Sequence, residues 1–142
     1  MHTDTIALLG DCTTGIDRAV SGINALLPDI SDRGLRKRLR SSIREHQILY
    51  TQAQTMLLEY GGQLRTPSAI ARGVNRLKTG ARMVLGDSTT AAELVAHSCD
   101  RGVRMLSRSC NRYTGATSDA VDLTRKLIRC EEILSSDLRA YL

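Results

Sequence analysis

The chain has 142 residues, 42% apolar and 25% charged, with no Phe and no Trp, so one domain over residues 1–142 with a single aliphatic core of Leu, Ile, Val, Ala, Met and Cys is expected. Its formal net charge is +5, no apolar run approaches the ~18 residues of a membrane span, and "MHTDTIALLGD" has no basic n-region. Four cysteines (Cys12, Cys99, Cys110, Cys130) lack any CxxC or CxxH spacing, which argues against a thiolate metal cluster and for small buried hydrophobes in a reducing compartment. A cytoplasmic protein with no membrane contact is the expectation.

The composition favours helix, and the apolar spacing predicts four long amphipathic helices and one short one. The first begins at Thr3 or Asp4 as N-cap and runs to Pro28, carrying Leu9, Cys12, Ile16, Val20, Ile23 and Leu27 on one face. Its interior glycines, Gly10, Gly15 and Gly22, cost helix stability and predict close packing. The second opens with Ser31 as cap and presents Leu35, Leu39, Ile43, His46, Tyr50, Ala53 and Leu57 before Gly61-Gly62 stops it. Thr66-Pro67 starts a shorter helix through Ile70, Val74, Leu77, Ala81 and Val84 to about Gly86. Thr90-Ala-Ala-Glu93 reads as a capping box for the fourth, whose stripe is Ala96, Cys99, Val103, Leu106 and Cys110. The fifth starts at Thr117 or Ser118 and carries Leu123, Leu127, Glu131, Leu134 and Leu138 to the end of the sequence.

Short loops at 28–31 and 114–118 make the first two and the last two long helices antiparallel hairpins, joined by a long helical crossover. That is an all-α fold with the connectivity of a ferritin-like four-helix bundle, plus a short extra helix in the crossover.

Two polar residues fall on the inward faces. At 100° per residue His46 lies about 20° from the line through Leu39 and Leu57, whereas Glu45 is about 120° off it. Glu131 lies about 40° from Leu127, within its own apolar stripe. The helix midpoints fall near Ile16, His46, Val103 and Glu131, so the two polar groups are expected in one layer, where di-iron bundles assemble carboxylates and Glu-x-x-His pairs. Here Ile43 stands three residues before His46, and no histidine stands near Glu131.

The segments "TIALLGDCTTG", "LLEYGGQ", "SAIARGVNRLKTG" and "ELVAHSCDRGV" resemble a family of small bacterial ferritin-like bundles of uncharacterised function, over nearly the whole length. The resemblance implies acidic metal ligands just after the "C..G" of the first helix and the "C.RG" of the fourth. Those places hold Ile16-Asp17 and Val103-Arg104 here, so the implied di-iron site is degenerate, with Asp17 and Asp100 left as flanking carboxylates.

Three function classes follow. The first is a non-catalytic structural, partner-binding or self-associating bundle, with His46 and Glu131 satisfying each other and no metal or cofactor expected. Its partner would be a second copy or another protein, docking on the second helix through Ile48, Leu49, Met56 and Leu58. The second is an iron or manganese oxidoreductase or store with a reduced site of His46, Glu131, Glu45 and Asp100, which would hold a divalent ion weakly. The third is a nucleic-acid binder using the basic patch Arg36, Lys37, Arg38, Arg40 and Arg44. The absence of aromatic residues there favours a solvated basic face over nucleic acid. Nucleophilic catalysis finds no support, because His97 points away from Cys99 and "GDSTT" lacks the ending of a phosphate loop.

Overall fold

The computed structural model describes residues 2–64 and 88–142. They form four helices: α1 (Thr3–Leu26), α2 (Arg33–Glu59), α3 (Ser88–Arg112) and α4 (Ser118–Asp137), with 3-10 turns at Leu27–Asp29 and Leu138–Tyr141. The described residues contain no strand. The short helix expected over residues 66–86 lies outside the described residues.

Helix ends differ from the sequence expectation where two capping residues compete. Asp32, not Ser31, caps α2, its Oδ1 accepting the Leu35 N–H at 2.8 Å, because a carboxylate one residue nearer the helix answers an orphan N–H with a full charge. The capping box at Thr90 is overturned: α3 is already helical at Ser88, so Thr90 lies within the helix. His2 occupies the N-cap position of α1 without a side-chain bond; Asp4 instead accepts the Gly115 N–H at 2.8 Å, tying α1 to the α3–α4 loop. At the far end of α2, Gly61 adopts φ +84°, a conformation that a Cβ disfavours. The Gly62 and Gly61 N–H groups return to the Leu57 and Leu58 carbonyls at 2.7 and 3.2 Å, a Schellman stop.

Cross-bundle partners give the chain directions. Tyr60–Asp119, His46–Glu131 and Arg38–Asp137 run oppositely along α2 and α4, as do Asp11–Ser109 and Arg18–Met105 along α1 and α3. Thr5–Thr117 and Cys12–Thr124 rise together, so α1 and α4 are parallel. Asp100–Ser135 makes α3 and α4 antiparallel, and α2 and α3 are therefore parallel too. The helices run up, down, down, up, and the chain leaves α2 at one end of the bundle and resumes in α3 at the other.

Three apolar clusters stack along the axis. Leu8, Leu9, Ala53, Leu57, Ala120 and Leu123 fill the end bearing the start of α1; Cys12, Ile16, Leu106 and Leu127 form the middle. The other end is larger and includes Leu26, Leu35, Leu39, Val95, Leu134 and Leu138. Tyr141 closes that end over Gly34, where a Cβ would lie 2.8 Å from the phenol oxygen. Replacing one of these leucines with alanine costs about 2 to 5 kcal/mol.

Candidate functional site

Between the middle cluster and the larger one sits the polar layer. His46 on α2 has no exposure and Glu131 on α4 only 4%. Each stands where its helix's apolar stripe faces inward, so the fold buries them together. Their side chains meet, His46 Nε2 to Glu131 Oε1, as expected from the matched helix midpoints. His46 Nδ1 reaches the Ser42 carbonyl at 2.7 Å and lies 3.2 Å from the Ser42 hydroxyl. A carbonyl oxygen only accepts, so Nδ1 carries a proton.

Burial opposes charge on this ring, but the hydrogen bond and charge of Glu131, with the Ser42 carbonyl, outweigh it and hold the His46 pKa above its ordinary value. The geometry and the raised pKa together favour an imidazolium donating both N–H groups, one to a carbonyl and one to a carboxylate.

The other side of Glu131 faces α3, where one expectation fails. Val103 was placed in this layer, but it is only half-buried. The carboxylate lies against Gly102 instead, where a Cβ would be 3.5 Å from Oε2. The buried stripe of α3 is Ala92, Val95, Cys99, Leu106 and Ser109, with Gly102 completing its three-four spacing. Burial, then the charge and hydrogen bond of Glu131, raise the Cys99 thiol, keeping it protonated. Cys12 is pushed up to about 12 by burial, against the opposing bond from Thr124. Cys130 also reaches about 12, from burial first and then Glu45 and Glu131. All four cysteines are free, and Cys110 and Cys130 are half-buried rather than in the core.

A cavity of about 410 Å³ opens between α1 and α3. Gly15 and Gly22 line one side, Gly102 and Leu106 the other, with Glu131 and Leu134 at its base. A Cβ at Gly15 or Gly22 would meet nothing within 4 Å. Close packing is thus not the reason for these glycines; their missing side chains leave space.

The remaining metal candidates stand apart from the pair. Glu45 is exposed and bridges Arg38 at 3.2 Å. Asp100 is exposed and accepts from the Ser135 hydroxyl at 3.3 Å. Asp17 is half-buried and, after burial itself, contributes to raising the Tyr50 phenol. Among the described residues no group of three or more His, Cys, Asp or Glu side chains is placed to hold a metal ion.

The basic patch is rearranged. Arg38 turns from it to pair with Glu45 and with Asp137 at 2.8 Å. Arg33 takes its place, joining Arg36, Lys37, Arg40 and Arg44 around a shallow basin of about 300 Å³. Of the four apolar residues expected on the α2 surface, Ile48 and Leu58 are exposed, while Leu49 and Met56 pack against the core. None of the described helices is long and apolar enough to cross a membrane.

The chain matches no family model, no curated protein and no solved structure.

Proposed function

We propose that this is a ferritin-like bundle without metal chemistry, a structural and partner-binding protein whose middle layer is closed by the His46–Glu131 ion pair. The observation that carries the reading is the commitment of both imidazole N–H groups, to Ser42 and to Glu131. A histidine binds metal through a nitrogen lone pair, and the imidazolium has none. Binding would require removing a proton that Glu131 and the Ser42 carbonyl hold against the opposing effect of burial, so metal competes against the ion pair itself. The up, down, down, up order of two antiparallel hairpins supports the ferritin-like part, since that order needs the single long crossover typical of those folds.

Iron or manganese held by His46 and Glu131, with Glu45 and Asp100, is the competing reading. It would need Glu45 to leave Arg38 and Asp100 to swing inward from the surface. The test is anaerobic thermal melting with and without excess ferrous or manganous ion, together with elemental analysis of protein purified without chelator. Unchanged melting and substoichiometric metal are expected. A rise of several degrees, or two metal atoms per chain, overturns the proposal. Self-association through α2, where Ile48 and Leu58 are exposed, is read by light scattering: a mass that rises with concentration supports it, and a monomer at high concentration counts against it.

A further inference from the structure

The first three turns of α2 carry charge without an answer. Taking Arg33 as zero, the 100° rotation per residue places Arg36, Lys37, Arg40 and Arg44 at about −60°, 40°, −20° and 20°, a single stripe. Leu35, Leu39, Ser42 and His46 fall between about 180° and 240°, so the stripe points straight out of the bundle. It spans about 16 Å of helix axis. Like charges three and four apart weaken a helix, and this chain places five of them together.

Two observations separate this stripe from an ordinary solvated face. Arg38, in the same segment, is matched by Glu45 and Asp137, yet among the described residues no carboxylate lies within 4 Å of Arg33, Arg36, Lys37, Arg40 or Arg44. The Arg36 Nε–H, moreover, is shut from solvent and has no hydrogen-bond partner among the described residues. A buried donor left unmade is costly and uncommon, and Arg36 is one of the five residues that line the basin.

We infer that the α2 stripe binds the phosphodiester backbone of double-stranded nucleic acid, without reading its sequence. This names the partner for the binding role proposed above. Four of the five cations are arginines, whose planar forks match phosphate oxygens two at a time. A straight row suits a linear polyanion better than a single phosphate group. Sixteen ångströms of duplex axis carries about five phosphates per strand, the same number as the cations. The basin's lining contains no aromatic side chain to stack on an unpaired base or anchor in a bilayer. The positive end of the α2 dipole adds attraction where the row begins.

The experiment is fluorescence anisotropy with two unrelated 20-base-pair DNA duplexes across a salt series, using the full chain. Both duplexes should bind equally, with a log–log salt slope of about −3 to −4.5. Arg40→Glu with Arg44→Glu should weaken binding at least tenfold and flatten the slope by about 2. Lys126→Glu, an exposed change of the same sign on α4, should weaken it less than twofold. The milder Arg40→Gln with Arg44→Gln should follow the reversal pair in direction, and circular dichroism should show every variant as helical as the parent. No binding at low salt, equal losses with Lys126→Glu, or binding to anionic lipid vesicles but not to duplex would each overturn the inference. None of these outcomes bears on the metal-free middle layer, which the melting experiment reads separately.

Discussion

Helix α2 handles charge in two opposite ways within a few turns. From Arg33 to Arg44 its outward face carries five cations with no carboxylate beside them among the described residues. At His46 its inward face carries one cation with both donors occupied. The difference is solvent. An exposed cation such as Arg40 or Arg44 keeps its hydration and tolerates having no partner, whereas the buried imidazole of His46 has lost that hydration and is held by Glu131 and Ser42 instead. The proposed roles follow that difference: a ligand for the outward row, closure of the middle layer for the inward pair.

The sharpest way to break the comparison is to remove one member of the buried pair. Glu131→Ala should destabilise the fold by about 3 to 5 kcal/mol in urea or thermal unfolding, because it leaves an uncompensated buried cation. His46→Leu combined with Glu131→Leu should recover most of that loss, since apolar replacement of a buried pair is often neutral. A double variant as damaged as the single would show that the layer's shape, not its charge, matters.

The pH dependence sharpens the same contrast. Because the folded pKa of His46 is raised above 6.5, its contribution is fully present below about pH 6.5 and fades as pH rises through the folded value. The loss is at most about 1.4 kcal/mol per pH unit within that window. Chemical denaturation across pH 6 to 8, below the range in which the raised thiols of Cys12, Cys99 and Cys130 add a decline of their own, should show the decline in the parent and not in the double leucine variant. A parent as stable at pH 8 as at pH 6 would contradict the imidazolium assignment.

Smaller effects follow. Asp32→Ala should cost about 1 kcal/mol by removing the α2 cap. Gly15→Ala and Gly22→Ala should each stabilise by about 0.5 to 1 kcal/mol, since the new methyl enters open space and stiffens the unfolded chain; a loss would mean that the cavity is filled in solution. Least of all, Arg40→Glu should move stability by less than about 0.5 kcal/mol, and if it unfolded the protein the outward row would be structural after all.

Much of this was legible in the chain. Helical periodicity located all four described helices, and the rotation of His46 and Glu131 relative to their leucines placed both inside. The register of α3 was harder. Two three-four stripes share Cys99 and Leu106, one through Ala96, Val103 and Cys110, the other through Val95, Gly102 and Ser109. The first looks more apolar and the second is the one buried, because Glu131 needs room that Gly102 supplies and Val103 would not. Hydropathy records what a side chain prefers, not the space its neighbour requires. Glu45 and Asp100 lie outside the layer for a related reason: nearness in sequence to an inward residue says nothing about a partner such as Arg38 or Ser135 on the outside.

The sequence separation of 85 between His46 and Glu131 also sets a clock. At roughly 5 to 20 residues per second of synthesis, His46 emerges about 4 to 17 seconds before the residue that completes it. During that interval the leucines of α1 and α2 that α4 covers in the finished bundle, Leu8 and Leu57 among them, have no α4 to pack against. The ion pair is therefore a late event in the synthesis of each molecule.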